Sequence, residues 1–145
     1  MNSRAKGKVG EREFAALLRA EGFDARRGQQ FAGGADSPDV VSDALGWLHI
    51  EVKRTQALNL ADACAQAEGD SSGKPWIVAH RRNHAPWLVT LTAETFFRLL
   101  RGELPPSGVP IRLVDPNDFS SGHVAPGAEQ TNNTRSKTDE HGSTM

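Results

Sequence analysis

The sequence predicts an α/β domain in which a central mixed sheet of about five strands is flanked by helices. Three observations predict it. Periodic apolar segments run in the order helix, three strands, helix, two strands, helix; they stop near Leu100; and the most regular of them, Trp47 to Lys53, has strand parity rather than helical spacing. With 145 residues and 37% hydrophobic content, the chain holds material for one core and a tail.

Val9 to Glu21 reads as a helix because Phe14, Leu17 and Leu18 recur at helical spacing, with Gly22 where a C-terminal stop belongs. Phe23 to Arg27 reads as a short strand. A Gly-rich loop, Arg27 to Gly34, leads to Pro38, Asp39, Val40 and Val41, where the proline favours a strand start and the paired valines a buried strand. Trp47 to Lys53 alternates, with Leu48, Ile50 and Val52 on one face and Trp47, His49, Glu51 and Lys53 on the other, the period of a half-buried strand. Then come a helix at Leu60 to Glu68, strands at Trp76 to His80 and Trp87 to Thr92, and a helix from Ala93 to Leu100 with Thr92 as N-cap. Trp47, Trp76 and Trp87 are expected in the core rather than as base-stacking platforms.

These boundaries divide the chain into a domain at 1–102, a segment at 103–118 with an extra strand near Val109 to Val114, and a polar tail at 119–145. The tail's Pro, Gly, Ser, Thr and Asn content predicts disorder, since few apolar groups there can offset ordering entropy. No apolar run is long enough to span a bilayer, and the basic start has no apolar stretch after it, so a cytoplasmic protein without membrane contact is expected. Cys64, the single cysteine, has no disulfide partner and no ligand-spaced Cys or His, and reads as a small apolar helix residue.

The net charge of -1 conceals a gradient. Through Gly102 there are 14 Lys or Arg against 12 Asp or Glu, and beyond it 3 against 6. Basic residues cluster at Arg4, Lys6 and Lys8, at Arg26 and Arg27, at Lys53 and Arg54, and at Arg81 and Arg82, a pattern that serves phosphate contact or a solvated surface equally well.

The chemistry is carried by Asp39, following a proline, and by Glu51 and Lys53, which share a strand face and begin twelve residues later. Phosphodiester hydrolysis needs a hard cation, and hard cations prefer carboxylate oxygens, so acids on adjacent strands make a candidate magnesium site. Val52 points into the core and leaves its backbone carbonyl available to the metal, while Lys53 can stand over the scissile phosphate. Glu11 lies three and seven residues before Phe14 and Leu18, at the margin of the helix's apolar face, whereas Glu13 points further from it; Glu11 can ligate metal or stabilise the helix dipole. His49 shares the face of Glu51 and is a candidate base, though magnesium prefers oxygen. Gln66 is either an accessory residue or an exposed polar group on its helix.

As a set, these residues resemble the PD-(D/E)xK nuclease superfamily, in particular its Holliday-junction-resolvase-like branch of archaea, bacteria and phages. The resemblance runs from about Lys6 to Leu100 and includes Gly7 to Phe14, the loop Arg27 to Gln30, Pro38 to Val40, Ile50 to Arg54, Ala57 to Leu60, Ala65 to Ala67, His80 with Arg81, and Trp87 to Thr90. It implies a restriction-endonuclease-like fold and a metal-dependent endodeoxyribonuclease. Asp39 and Glu51 would ligate Mg2+, for which Mn2+ can substitute, Glu11 would assist, and Lys53 would position water or stabilise the transition state. It also implies a homodimer that cuts branched DNA to leave 5′-phosphate and 3′-hydroxyl ends. Lys6, Lys8, Arg27, Gln29, Arg54 and Arg81 are the expected DNA contacts. Archaeal members place a serine in the Gly-rich loop, where this chain has Gln29 and Gln30 with Ser37 nearby. The motif alone therefore leaves open a nuclease for duplex, flap or nicked DNA, and a binding module of the same fold without catalysis.

Overall fold

The first helix, α1, spans Ser3–Ala20, in a computed structural model that describes residues 3–29, 37–108, 113–115 and 117. It starts six residues before the expected Val9, because the segment up to Lys8 carries no apolar period to mark it, while Arg4, Ala5, Lys6 and Lys8 favour helix enough to carry Gly7. Its end is the one expected. Gly22 takes a φ of +92°, its N–H donates to the Arg19 carbonyl and the Phe23 N–H to that of Leu18, which is the paired arrangement of a Schellman stop.

Two short strands follow, β1 at Arg26–Arg27 and β2 at Val40–Val41, paired antiparallel with Arg27 opposite Val40. Residues 30–36 of the Gly-rich loop, Gln30 among them, lie outside the described residues. Gly28 is fixed by close approach: its N–H donates to the Asp39 carbonyl at 2.9 Å, and a Cβ there would lie 2.1 Å from the Pro38 carbonyl oxygen.

After one 3-10 turn at Asp43–Leu45 come β3 (His49–Arg54), α2 (Leu60–Asp70), β4 (Trp76–Arg81), β5 (Leu88–Thr90) and α3 (Ala93–Leu100). Asn59 caps α2 by accepting from the Asp62 N–H, and Thr92 caps α3, as expected, by accepting from that of Thr95. β3 and β4 are parallel with α2 as their crossover, and β5 runs antiparallel to β4. The element order is the expected one, and the fold is α/β with a mixed sheet. The expected single sheet is instead, among the described residues, a three-stranded sheet β3-β4-β5 and the separate ribbon β1-β2. The two meet where the Asp39 N–H donates to the Ile50 carbonyl at 3.0 Å, beside the edge of β3 opposite β4.

The expectation of a half-buried strand at Trp47 to Lys53 is corrected. β3 begins at His49, and His49, Ile50, Glu51 and Val52 are all buried. Two cores explain it. Phe14 and Ala15 of α1 pack with Val40, Ile50, Val52 and Ala79 on one face, and Ala63 and Ala67 of α2 pack with Trp76 and Val78 on the other. A parallel pair with a helix on each face has no solvent side, so polar residues on the second face are buried with it. Trp47 and Trp87 belong to no strand, yet both pack against the first core, and Trp87 meets Phe14 with ring centroids 5.1 Å apart. Cys64 is half-buried against the second core, and burial raises its thiol pKa. Beyond Gly102, Leu104 is buried and the Val114 N–H donates to the Gly22 carbonyl at 2.7 Å. The expected strand falls partly, and the expected tail wholly, outside the described residues.

Candidate active site

Asp39 sits where the ribbon meets β3. Backbone bonds hold it on both sides, from Gly28 and to Ile50, and its Oδ2 accepts from the Val52 N–H at 2.8 Å. Ile50 and Val52 thus address the ribbon edge of β3, while the His49 N–H donates the other way, to the Pro75 carbonyl. Along a strand the N–H and C=O of one residue leave by the same edge, so the Val52 carbonyl faces the Asp39 side.

Glu51 lies on the α2 face of β3 between its own i-2 and i+2 neighbours. Lys53 Nζ is 3.2 Å from Oε1 and His49 Nε2 is 3.5 Å from Oε2. Lys53 also donates to Gln66 Oε1 on α2 at 2.9 Å, so the sequence's accessory candidate reaches the site by holding the lysine. Burial alone would raise the pKa of Glu51, but His49 and the charge of Lys53 outweigh it and hold the carboxyl below its ordinary value. Asp39 goes the other way. Burial first, and then the negative charge of Glu51, push it up to about 7 against the opposing hydrogen bond from Val52, with Glu11 adding a further rise.

This donor set fits a hard divalent cation. Burial first, and the charge of Glu51 after it, disfavour the ionised form of Asp39, and a cation held by the two carboxylates would offset both. Among the described residues, no three His, Cys, Asp or Glu side chains cluster as a cage that could hold a metal by side chains alone. Magnesium in phosphoryl chemistry does not need one, since one or two carboxylates with water and substrate phosphate usually complete its shell.

The remaining expected residues are placed unevenly. Glu11 is electrostatically close to Asp39, but its Oε2 accepts from Arg27 Nε, so the metal assistant and the DNA contact expected from the sequence are each other's partners. Arg54 and Arg81 lie opposite each other in the β3–β4 register and both reach Glu13, at 3.2 and 3.5 Å. Arg81 also stands 5.6 Å from the Trp87 ring centroid. Glu13 therefore does not point away, as the helical wheel suggests; it reaches the last residues of β3 and β4, and Gly10 packs so closely that a Cβ would meet that of Arg54 at 2.8 Å. Lys6, Lys8 and Gln29 are exposed, and Lys6 lies one turn before Gly10. The Glu13 contact escapes sequence reading because it depends on which strands become neighbours. The burial of His49 carries one sequence signal, its parity with Glu51.

A family model described as archaeal Holliday junction resolvase (Hjc) matches residues 2–95. A solved structure of Hjc, a Holliday junction resolvase of the archaeal hyperthermophile Archaeoglobus fulgidus, is 30% identical, covers 59% of this chain and 72% of that one, and superposes with a TM-score of 0.45. A comparison with curated proteins gave no match.

Proposed function

The chain belongs to the archaeal Holliday junction resolvase family and is accordingly a structure-selective, metal-dependent endonuclease; we propose that Asp39, Glu51 and Lys53 are its active centre. The observation that carries the proposal is the meeting of two buried carboxylates at β3, Asp39 accepting from the Val52 N–H and Glu51 standing 3.2 Å from the Lys53 ammonium. Asp39, Glu51 and the Val52 carbonyl would hold the cation, Mg2+ on the chemistry of the donors, with Mn2+ as substitute. When bound, such a cation activates the attacking water and screens the phosphate. Lys53 supplies positive charge where the phosphorane develops its negative charge, and Gln66 keeps its ammonium from swinging into solvent. Glu11 acts through the field at Asp39 and through Arg27, which it holds beside β2. Lys6, Lys8, Gln29 and the exposed Arg82 supply the outer phosphate contacts.

We further propose a homodimer. Supporting it, α3 carries its apolar residues outward: Phe96, Phe97, Leu99 and Leu100 are exposed, as are Leu88 and Val89 of β5, while Thr95 is buried. A helix so oriented leaves an apolar face uncovered in the monomer. A two-fold dimer covers it and supplies the two active centres that paired cuts across a branch point require. No helix among the described residues is long and apolar enough to cross a membrane, so the patch is not a span.

The test is to incubate the protein with Mg2+, Mn2+ or Ca2+ and matched four-way junction, flap, nicked duplex and single-stranded DNA. Paired symmetric nicks in the junction with Mg2+ or Mn2+, and binding with little turnover in Ca2+, are expected. Cuts scattered along all substrates alike would contradict the junction preference.

A further inference from the structure

Glu51 has a residue of its own strand face beside each oxygen, and only one of the two follows from the family's motif. Lys53 at Oε1 is also tied to Gln66, and so divides its hydrogen bonds between α2 and the carboxylate. His49 is different. Its side chain is 4% exposed, its backbone is locked by the bond to Pro75, and its Nε2 has no hydrogen-bond partner among the described residues. Glu51 Oε2 stands 3.5 Å from that nitrogen, just beyond good hydrogen-bond length. A buried ring N–H aimed at nothing is costly, and an apolar residue would fill the place more cheaply, so the imidazole needs a reason to be there.

We propose that His49 is a positioning residue: its Nε2–H fixes the free oxygen of Glu51, so that the carboxylate presents one orientation to the divalent cation. This rests on the reading of Glu51 as a metal holder. Hydrogen bonds to ligating carboxylates set their orientation and are felt in metal affinity even though the donor never touches the metal. The strand parity that places Lys53 two residues after Glu51 places His49 two residues before it, so one pleat supports the carboxylate from both ends. The imidazole acts here as a hydrogen-bond donor through Nε2.

The experiment titrates Mn2+ into the DNA-free full chain by calorimetry and measures single-turnover junction cleavage against Mn2+ in parallel. In His49→Phe, for which a neighbouring cavity of about 190 Å³ leaves room, Mn2+ affinity is expected to fall about 10–100-fold. The cleavage midpoint should shift equally, while junction binding in EDTA stays at the wild-type level. In His49→Gln the amide nitrogen reaches the position of Nε2, and affinity should return close to wild type. His49→Asn, too short to reach Glu51, should behave as the Phe variant does, and it carries the test if Phe does not fold. Wild-type Mn2+ affinity in the Phe or Asn variant would overturn the proposal, as would a Gln variant as impaired as Phe, which would mean that a donor at this position does not restore the carboxylate. If the wild-type chain binds no Mn2+, the reading of Asp39 and Glu51 falls, and the role of His49 with it.

Discussion

In the metal-free chain Asp39 and Glu51 respond to pH in opposite senses, because burial is reinforced at Asp39 by the charge of Glu51 but is outweighed at Glu51 by His49 and Lys53. Asp39 rises from 3.8 to about 7, so the folded chain binds this proton more tightly than the unfolded chain does. Its contribution to stability is therefore greatest below about 4 and is lost as pH rises toward 7. Glu51, held below its ordinary 4.5, contributes stability that is present above that value and lost as pH falls through its lower folded value. In EDTA, the melting temperature should thus drop between about pH 5 and 7 and level off above. Asp39→Asn should flatten that drop, as should saturating Mg2+ in the wild type; an unchanged slope in the Asn variant would contradict the burial of charge at Asp39. Lys53 makes a second residue-scale prediction. If it serves the developing charge, Lys53→Ala should lower turnover by on the order of two to three decades with little change in affinity. A mere phosphate anchor would instead lose affinity and reduce the salt slope of binding by about one.

The elements explain why those residues meet, and how far the sequence shows it. Glu51 and Lys53 were legible because strand parity alone puts them on one face, and Asp39 because a proline and two valines mark a strand beside it. The helices α2 and α3 and the Gly22 stop were legible for the same local reasons. The depth of the site was not: His49 and Glu51 are buried only because α2, as the crossover between β3 and β4, covers their face. Nor were the partners of Arg54 and Arg81, which become neighbours through parallel pairing and then share Glu13 from α1. Gly28 is the sharpest test at this scale, since it sets the distance between the loop and Asp39. Gly28→Ala would drive a Cβ into the Pro38 carbonyl at 2.1 Å. It should cost about 1–3 kcal/mol of stability and shift Asp39 away from Val52, lowering cleavage more than junction binding. Wild-type melting and cleavage in that variant would show that the ribbon does not fix the acid.

For the whole molecule, the outward apolar face of α3 and the site on the far edge of β3 have separate tasks. On the proposed reading, the first joins two chains and the second cuts one strand. Phe97→Glu with Leu100→Glu, both at positions more than half exposed, should therefore leave the monomer folded while shifting sedimentation from dimer to monomer. Cleavage should change from paired nicks to slow single ones, because each centre keeps its own residues. A dimer that survives both charges would mean that the interface lies elsewhere.

The measurement that bears most directly on the active centre is the single-turnover rate of Glu51→Gln on a bound four-way junction in Mg2+, at protein concentrations where all of the DNA is bound. The carboxylate pair predicts a junction bound at least as tightly as by the wild type, since a negative charge beside phosphate is gone, with no cleavage above background. Cleavage at the wild-type rate would show that this edge of β3 is not where the DNA is cut.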